Sequence, residues 1–368
     1  MFKKLDIAVC IALLVLTTSM VTPAAAEEEK VLNIYFWYDY LPDSIVKGFE
    51  KETGIKVVLD TFESLDVMET KLLAGKSGYD IVIPDWVMAG RLMKLGIFKK
   101  LDKSRFSNWG NLDPSILSKL DKYDKGNNYG VPYLWGTTGI VFNDAMVRER
   151  LPNANLRSWD LFFKPENISK LSDCGVASID AWAEVIPIAL NYLGFDPHSA
   201  KKADLEKAEK LLMSVRPYIR HFNTGAIMEE LATGELCAAL DYSGNGGLAS
   251  LRADELKNGI FIDYSIPTEG TITFIDFLAI PADAKHPHNA HKFFDFLMRP
   301  EEIAKISNEI WYANANAAAL AYVDDEVKGD PDIYPPPEVM EKLFSIVSLS
   351  NKDRRKHTRM WTTVKAAK

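Results

Sequence analysis

The sequence predicts an α/β protein folded as two lobes, with the chain passing between them twice. Three observations carry this expectation. At 368 residues the chain exceeds the size at which a single hydrophobic core stops growing, so two domains are expected. Strand-like and helix-like segments alternate along it, which favours an open sheet covered by helices on both faces. Two long extended segments, 130–143 and 271–281, break that alternation and suit a crossing from one lobe to the other.

Taken in order, the first 26 residues stand apart. Lys3 and Lys4 precede an apolar stretch from Ile7 to about Leu16, and Ala24, Ala25 and Ala26 precede the acidic Glu27, Glu28 and Glu29. This is the three-part layout of a secretory signal peptide, residues 1–26, cleaved near Ala26. Its apolar run is short for a membrane span, and no later stretch approaches the roughly 18 consecutive apolar residues a span needs. Cys10 lacks a small-residue lipobox before it, so no lipid anchor is expected. The chain is expected in the periplasm as a soluble protein.

"VLNIYFW" (31–37) reads as a strand, and "DSIVKGFEKETG" (43–54) as a helix, with Ile45, Val46 and Phe49 at helical spacing and a stop at Gly54. "IKVVLDTF" (55–62) is the next strand, "LDVMETKLLAGKSG" (65–78) the next helix, and "YDIVIPD" (79–85) a short buried strand. After the first crossing segment, "GVPYLWGTTGIVFN", a second unit holds "SWDLFFKPEN" (158–167), "GVASIDAWAEVIPIALNYLG" (175–194) and "LCAALDYSGNGG" (236–247). "TITFIDFLAIP" crosses back, and helical spacing resumes over 289–311. The expected lobes are therefore 27–137 with 274–311, and 141–270 with 325–368. A ligand cleft between them, at the carboxyl ends of the strands, follows from that arrangement.

Hydrophobic content of 47% and charged content of 26% fit an ordinary globular protein. The net charge is −8, and about −9 once residues 1–26 are removed, which argues against nucleic acid or anionic membrane as partners. Outside the leader two cysteines remain, Cys174 and Cys237. In an exported protein such a pair reads as one disulfide, worth about 3–5 kcal/mol for a loop of this length, with two buried free thiols as the alternative. No Cys/His spacing suggests a metal site, and no cofactor is expected. His286, His288 and His291 are expected in a surface turn leading into a helix.

Five places put aromatic or acidic residues just past a strand or at a helix start. They are Trp37-Tyr38-Asp39-Tyr40; Asp85-Trp86; Asp180 to Glu184, including Trp182; Asp241-Tyr242 with Asn245; and Phe274 with Asp276. Tyr312 completes the set. Singly, an Asp after a strand is usually a turn residue or helix cap, and a Trp or Tyr there is usually core edge. Their recurrence at strand ends of both expected lobes points instead to a ligand. Carboxylates hold ammonium groups through charge-assisted hydrogen bonds, while ring faces cover methylene chains and attract cations. A sugar site would place more Asn, Gln and Arg beside its rings, and an anion site would want Arg, Lys or a glycine-rich helix start. No GxSxG, HExxH, Walker or GxGxxG motif is present. A glycosidase pair is left open by spacing alone, but an enzyme is not expected.

The stretches "FEKETGIKVV", "SWDLFFKPEN", "LNYLGFDP", "PADAK", "YANAN" and "TRMWTTVK" resemble the periplasmic polyamine-binding proteins of bacterial ABC transporters, most closely the putrescine-binding branch. The resemblance covers essentially the whole chain after the leader. It implies a two-lobed type II periplasmic binding protein fold that closes over a linear polyamine and delivers it to an ABC transporter permease. It also implies a disulfide at Cys174 and Cys237. Carried over by position, Trp37, Phe274 and Tyr312 match aromatic walls, and Asp39, Glu184 and Asp276 match amine-holding carboxylates. The chain departs from the branch at Tyr38, where a small hydroxyl residue is usual, and at Asp85 and Trp86, where serine and a small residue are usual. Tyr242 replaces a tryptophan, Asn245 an aspartate and Asp241 a glycine, and Trp182 is new. The expectation is thus a monomeric binding protein for a small amine in a re-cut pocket, with putrescine, cadaverine, agmatine, spermidine, norspermidine and a non-polyamine cation all open. The alternative is a periplasmic sensor subunit that signals through a membrane receptor.

Overall fold

The computed structural model describes residues 28–62 and 64–367; the expected signal peptide lies outside the described residues. Ten strands run in chain order: β1 (Val31–Trp37), β2 (Lys56–Phe62), β3 (Ile81–Val82), β4 (Gly130–Asn143), β5 (Val176–Ser178), β6 (His221–Phe222), β7 (Ala238–Tyr242), β8 (Ile262–Ser265), β9 (Thr273–Ala279) and β10 (Ala313–Asn314). They connect as β2-β1-β3-β9-β4-β7-β5-β6, with β8 and β10 also on β4. The ladders β1–β2, β1–β3, β5–β7 and β5–β6 are parallel, as strand–helix alternation requires. Every ladder made by β4 or β9 is antiparallel.

The first crossing segment is one continuous strand. The amino-terminal part of β4 pairs with β9 and β10, and its carboxyl-terminal part with β7 and β8. The apolar interior divides at the same place. Leu134 and Ile275 belong to a core that also holds Ile34, Phe36, Phe49 and Phe293. Ile140 and Ile272 belong to a second core with Trp159, Val176, Leu240 and Trp361. The residues around Val327 and Ile333 were expected in the second lobe from position 325 onward. They pack on the first core, whereas Val339, Leu343 and Phe344 lie against the second, which Met360, Trp361 and Val364 of the last helix, Asn351–Ala366, enter.

Local chemistry accounts for the elements that hold the cleft. The helix Asp43–Thr53 buries Ile45 and Phe49 and ends at Gly54, whose φ of 68° is the left-handed conformation glycine adopts without strain. Phe49 meets Phe293 edge-on at 5.0 Å. Burial of such side chains contributes about 1.5–3 kcal/mol each. The expected strand 79–85 is shorter, Ile81–Val82, because Pro84 lacks a ladder donor and Asp85 starts a helix. Pro300 divides the expected helical stretch 289–311 into Pro287–Leu297 and Pro300–Ile310.

The histidines depart from expectation. His286 is buried and its Nδ1 lies 2.9 Å from Asp80 Oδ2, while His291 is buried with its Nε2 accepting from the Asp102 backbone. They tie the loop before Pro287–Leu297 to the first core, and His288 alone is exposed. Cys174 and Cys237 form a disulfide with Cα atoms 5.5 Å apart. Among the described residues no helix is long and apolar enough to cross a membrane, and no cluster of His, Cys, Asp or Glu is arranged for a metal.

Candidate functional site

Between the two cores lies a cavity of about 140 Å³, and ten of the eleven residues expected in a ligand site line it: Trp37, Tyr38, Asp39, Asp85, Glu184, Tyr242, Asn245, Phe274, Asp276 and Tyr312. Each is placed by the end of an element or by a crossing strand. Trp37 ends β1, and Asp39 follows in a tight turn at φ 50°, a left-handed position that Asp tolerates. Tyr38 is 62% exposed at the rim. Tyr242 ends β7, and Asn245 lies in the first turn of the helix Ser243–Leu256. Phe274 and Asp276 lie on β9. Trp311, at φ 58°, closes the helix Pro300–Ile310 and turns the chain so that Tyr312 enters the cavity.

The eleventh residue, Trp86, does not reach this cavity. It is buried against Tyr123, with ring centroids 5.1 Å apart, and borders a separate hollow of about 500 Å³ with Tyr123, Trp135 and Tyr334. The reason is helical direction: Asp85 is the N-cap of Trp86–Lys94, and the residue after the cap turns away from the residue that faces the cleft. Trp182 borders an adjoining hollow that shares Trp37, Asp85 and Glu184 with the cavity, and its ring lies 6.1 Å from His357. Asp180 takes a structural role, accepting from Trp361 Nε1 and Lys365 Nζ, each at 2.6 Å.

The walls are rings in close contact. Tyr40 and Tyr312 meet at 5.1 Å, Phe274 and Tyr242 at 5.4 Å, and Trp37 and Phe62 at 4.4 Å. Gly244 allows this closeness across the cores, since a Cβ there would collide with the Tyr312 ring. Sequence reasoning named Tyr40 in the aromatic run without giving it a role, and it missed Phe62, Met228 and Leu248, which also line the cavity. Tyr40 follows the Tyr38-Asp39 turn directly, and that place was its visible signal. The missed apolar residues carried none, since they look like ordinary core.

Four carboxylates are buried at or beside the cavity: Asp85, Glu184, Asp241 and Asp276. Asp276 Oδ2 accepts from Tyr40 Oη at 2.7 Å, and its backbone forms a bridge pair with Asp85. Asp85 Oδ1 accepts from the Val87 and Met88 N–H groups at 2.7 and 2.9 Å, so the helix-cap role and the cavity position coexist. Glu184 accepts from Tyr242 Oη at 3.0 Å and from Thr138 Oγ1, a residue of the crossing strand that the sequence did not single out. Burial pushes the Asp276 carboxyl well above its usual range and raises Asp85, against the pull of its two N–H donors. Burial also lifts Glu184 and Asp241, each to about 7, although hydrogen bonds oppose the rise in both. Arg91 and Arg354 border the adjoining hollow, where both are held by Glu69. Among the described residues no Lys, Arg or His forms an ion pair with any of the four carboxylates.

Glu69 also joins the cores. It lies on the helix Leu65–Ala74, whose Met68 and Leu72 belong to the first core, and Arg354 reaches it at 3.2 Å from Asn351–Ala366, which packs on the second.

Two α/β cores joined by crossing strands around a cleft define a solute-binding protein. The family model for bacterial extracellular solute-binding proteins matches residues 44–335, and the chain belongs to that family. Along nearly its whole length it is similar to the putrescine-binding periplasmic protein SpuD of Pseudomonas aeruginosa, at 44% identity over 96% of this chain and 97% of SpuD. It is 46% identical to the putrescine-binding periplasmic protein PotF of Escherichia coli over 93% of each chain. The spermidine/putrescine ABC transporter substrate-binding protein PotD of Streptococcus pneumoniae shares the fold with a TM-score of 0.75 and 28% identity, over 92% of this chain and 99% of that one. SpuD and PotF are named for binding putrescine and the pneumococcal protein as the substrate-binding protein of an ABC transporter, and this chain, a member of the solute-binding family, is not an enzyme.

Proposed function

We propose that this protein captures a linear polyamine or related small amine in the periplasm and delivers it to an ABC transporter permease. The observation that carries this is the set of buried carboxylates without a cationic partner, set among aromatic rings. Buried charges persist when they are paired, so such a cavity suits a ligand that brings its own positive charge. Rings on both cores cover an alkyl chain, and Asp39, Asp85, Glu184 and Asp276 hold its ammonium groups directly or through water. The lobes, 27–137 with 274–311 and the residues around Val327 and Ile333, and 141–270 with the chain from about Val339 onward, close over the ligand as a monomer after the leader is cleaved near Ala26. Contacts made by both lobes stabilise the closed form that the permease meets.

A thermal-shift panel on ligand-stripped protein tests this, with putrescine, cadaverine, agmatine, spermidine, norspermidine, several amino acids and a sugar. A ligand at 100 times its Kd adds about 2.7 kcal/mol. A selective shift with one or more amines supports the proposal. Silence from every amine, or a shift with the sugar alone, overturns it.

A further inference from the structure

Asp241 is a carboxylate that a ligand in the cavity does not meet directly. It is fully buried on β7, opposite Gly139 of β4. Its Oδ1 accepts from the Tyr242 backbone at 2.8 Å and from Asn245 Nδ2 at 3.1 Å, and its Oδ2 accepts from the same nitrogen at 3.2 Å. No cation balances it among the described residues. Asn245 borders the cavity. While Asp241 is ionised only the NH2 end of an amide can donate to it, so Asp241 fixes which way round Asn245 stands, with the carbonyl oxygen turned away from Asp241. Asn245 stands on the helix that follows β7 of the second core, whereas Asp276 on β9 and Asp85, the helix cap bridged to it, belong to the first. A linear ligand bridging the cleft would meet Asp85 and Asp276 on one side and, beside Glu184, the Asn245 oxygen on the other.

We propose that Asp241 is a positioning residue for the second cationic end of the ligand. Through Asn245 it presents a carbonyl oxygen backed by negative charge, and the pair selects amines with donors at both ends over those with one. This rests on the amine-binding function proposed above. The competing role is structural, an anion at the start of the helix Ser243–Leu256.

Calorimetric titration with putrescine and with butylamine, which has the same carbon chain and a single ammonium, separates the two. Asp241→Asn is expected to weaken putrescine binding about tenfold or more and to change butylamine binding less than about twofold. The charge-moving double variant Asp241→Asn with Asn245→Asp is expected to recover putrescine binding. If Asp241→Asn does not fold, Asn245→Ala is expected to show the same selective loss. Equal losses for both amines, or no loss, overturn the positioning role while leaving the amine function standing. Wild-type protein that binds no amine in the wider panel overturns the function and the positioning role with it.

Discussion

Removing the charge of Glu184 is expected to stabilise the empty protein at alkaline pH while weakening ligand capture. Its carboxyl is held at about 7 against an ordinary 4.5, chiefly by burial. The folded value lies above the unfolded one, so the stability this group contributes is complete below the unfolded value and is lost as pH rises through about 7. At pH 8 the loss is about 3 kcal/mol relative to a group titrating normally. For a chain of this length that corresponds to about 4 °C in Tm. Glu184→Gln keeps an acceptor for Thr138 or Tyr242, whose hydroxyls can rotate to suit, and removes the ionisation. Melting curves of ligand-free wild type and variant at pH 5 and pH 8 measure the effect directly. Wild type is expected to lose about 4 °C more than the variant across that interval. Asp241 and Asp276 titrate in both proteins but are also pushed up by the Glu184 charge, so the difference reads Glu184 together with its repulsion of these neighbours. With saturating amine the wild-type loss should disappear, because the ligand supplies the missing positive charge. Parallel pH dependence in the two ligand-free proteins would refute the assignment of Glu184 as an unpaired buried carboxylate.

Other outcomes follow from the same geometry. Asp276→Ala and Trp37→Ala should each weaken amine binding by about 100-fold or more while leaving the fold intact by circular dichroism; unchanged affinity in both would remove the site assignment. Arg354→Ala breaks the bond between the cores to Glu69, and calorimetry should show affinity reduced a few-fold with the pocket residues unchanged. Unaltered affinity would mean that this contact does not bias closure. Replacing Cys174 and Cys237 by Ala should cost about 4 kcal/mol of stability by the chain-entropy estimate, read from denaturant unfolding, with little change in ligand selectivity.

The strand and helix pattern of the first core was legible because β1, β2 and the helix between them carry regular apolar spacing and a glycine stop. The crossing strand β4 was legible as the place where that regularity ends. Chain reach beyond an element was less visible. Trp86 and Asp85 are neighbours in sequence, yet the helix start turns one away from the other. Val327 and Ile333 lie in a segment with no strong periodicity, so their core could not be read from spacing. His286 and His291 looked like turn residues because their partners, Asp80 and the Asp102 backbone, are distant in sequence. Thr138 was hidden for the same reason, being one threonine in a strand until Glu184 is brought to it. Asp241 and Asn245 were visible as departures, but their hydrogen bonds required the folded helix start.

The cavity residues sit mostly where strands stop: Trp37 at the end of β1, Asp85 after β3 and Tyr242 at the end of β7. Trp37 and Tyr242 form the last rungs of their ladders, so exchanging side chains there leaves the pairing behind them in place. The crossing strand has no such freedom, since it serves both cores at once. Substitution at the strand ends is therefore expected to alter ligand preference at little cost, and substitution in β4 to cost stability in both cores. For engineering, this recommends a library confined to the strand-end positions, built on an untouched β4.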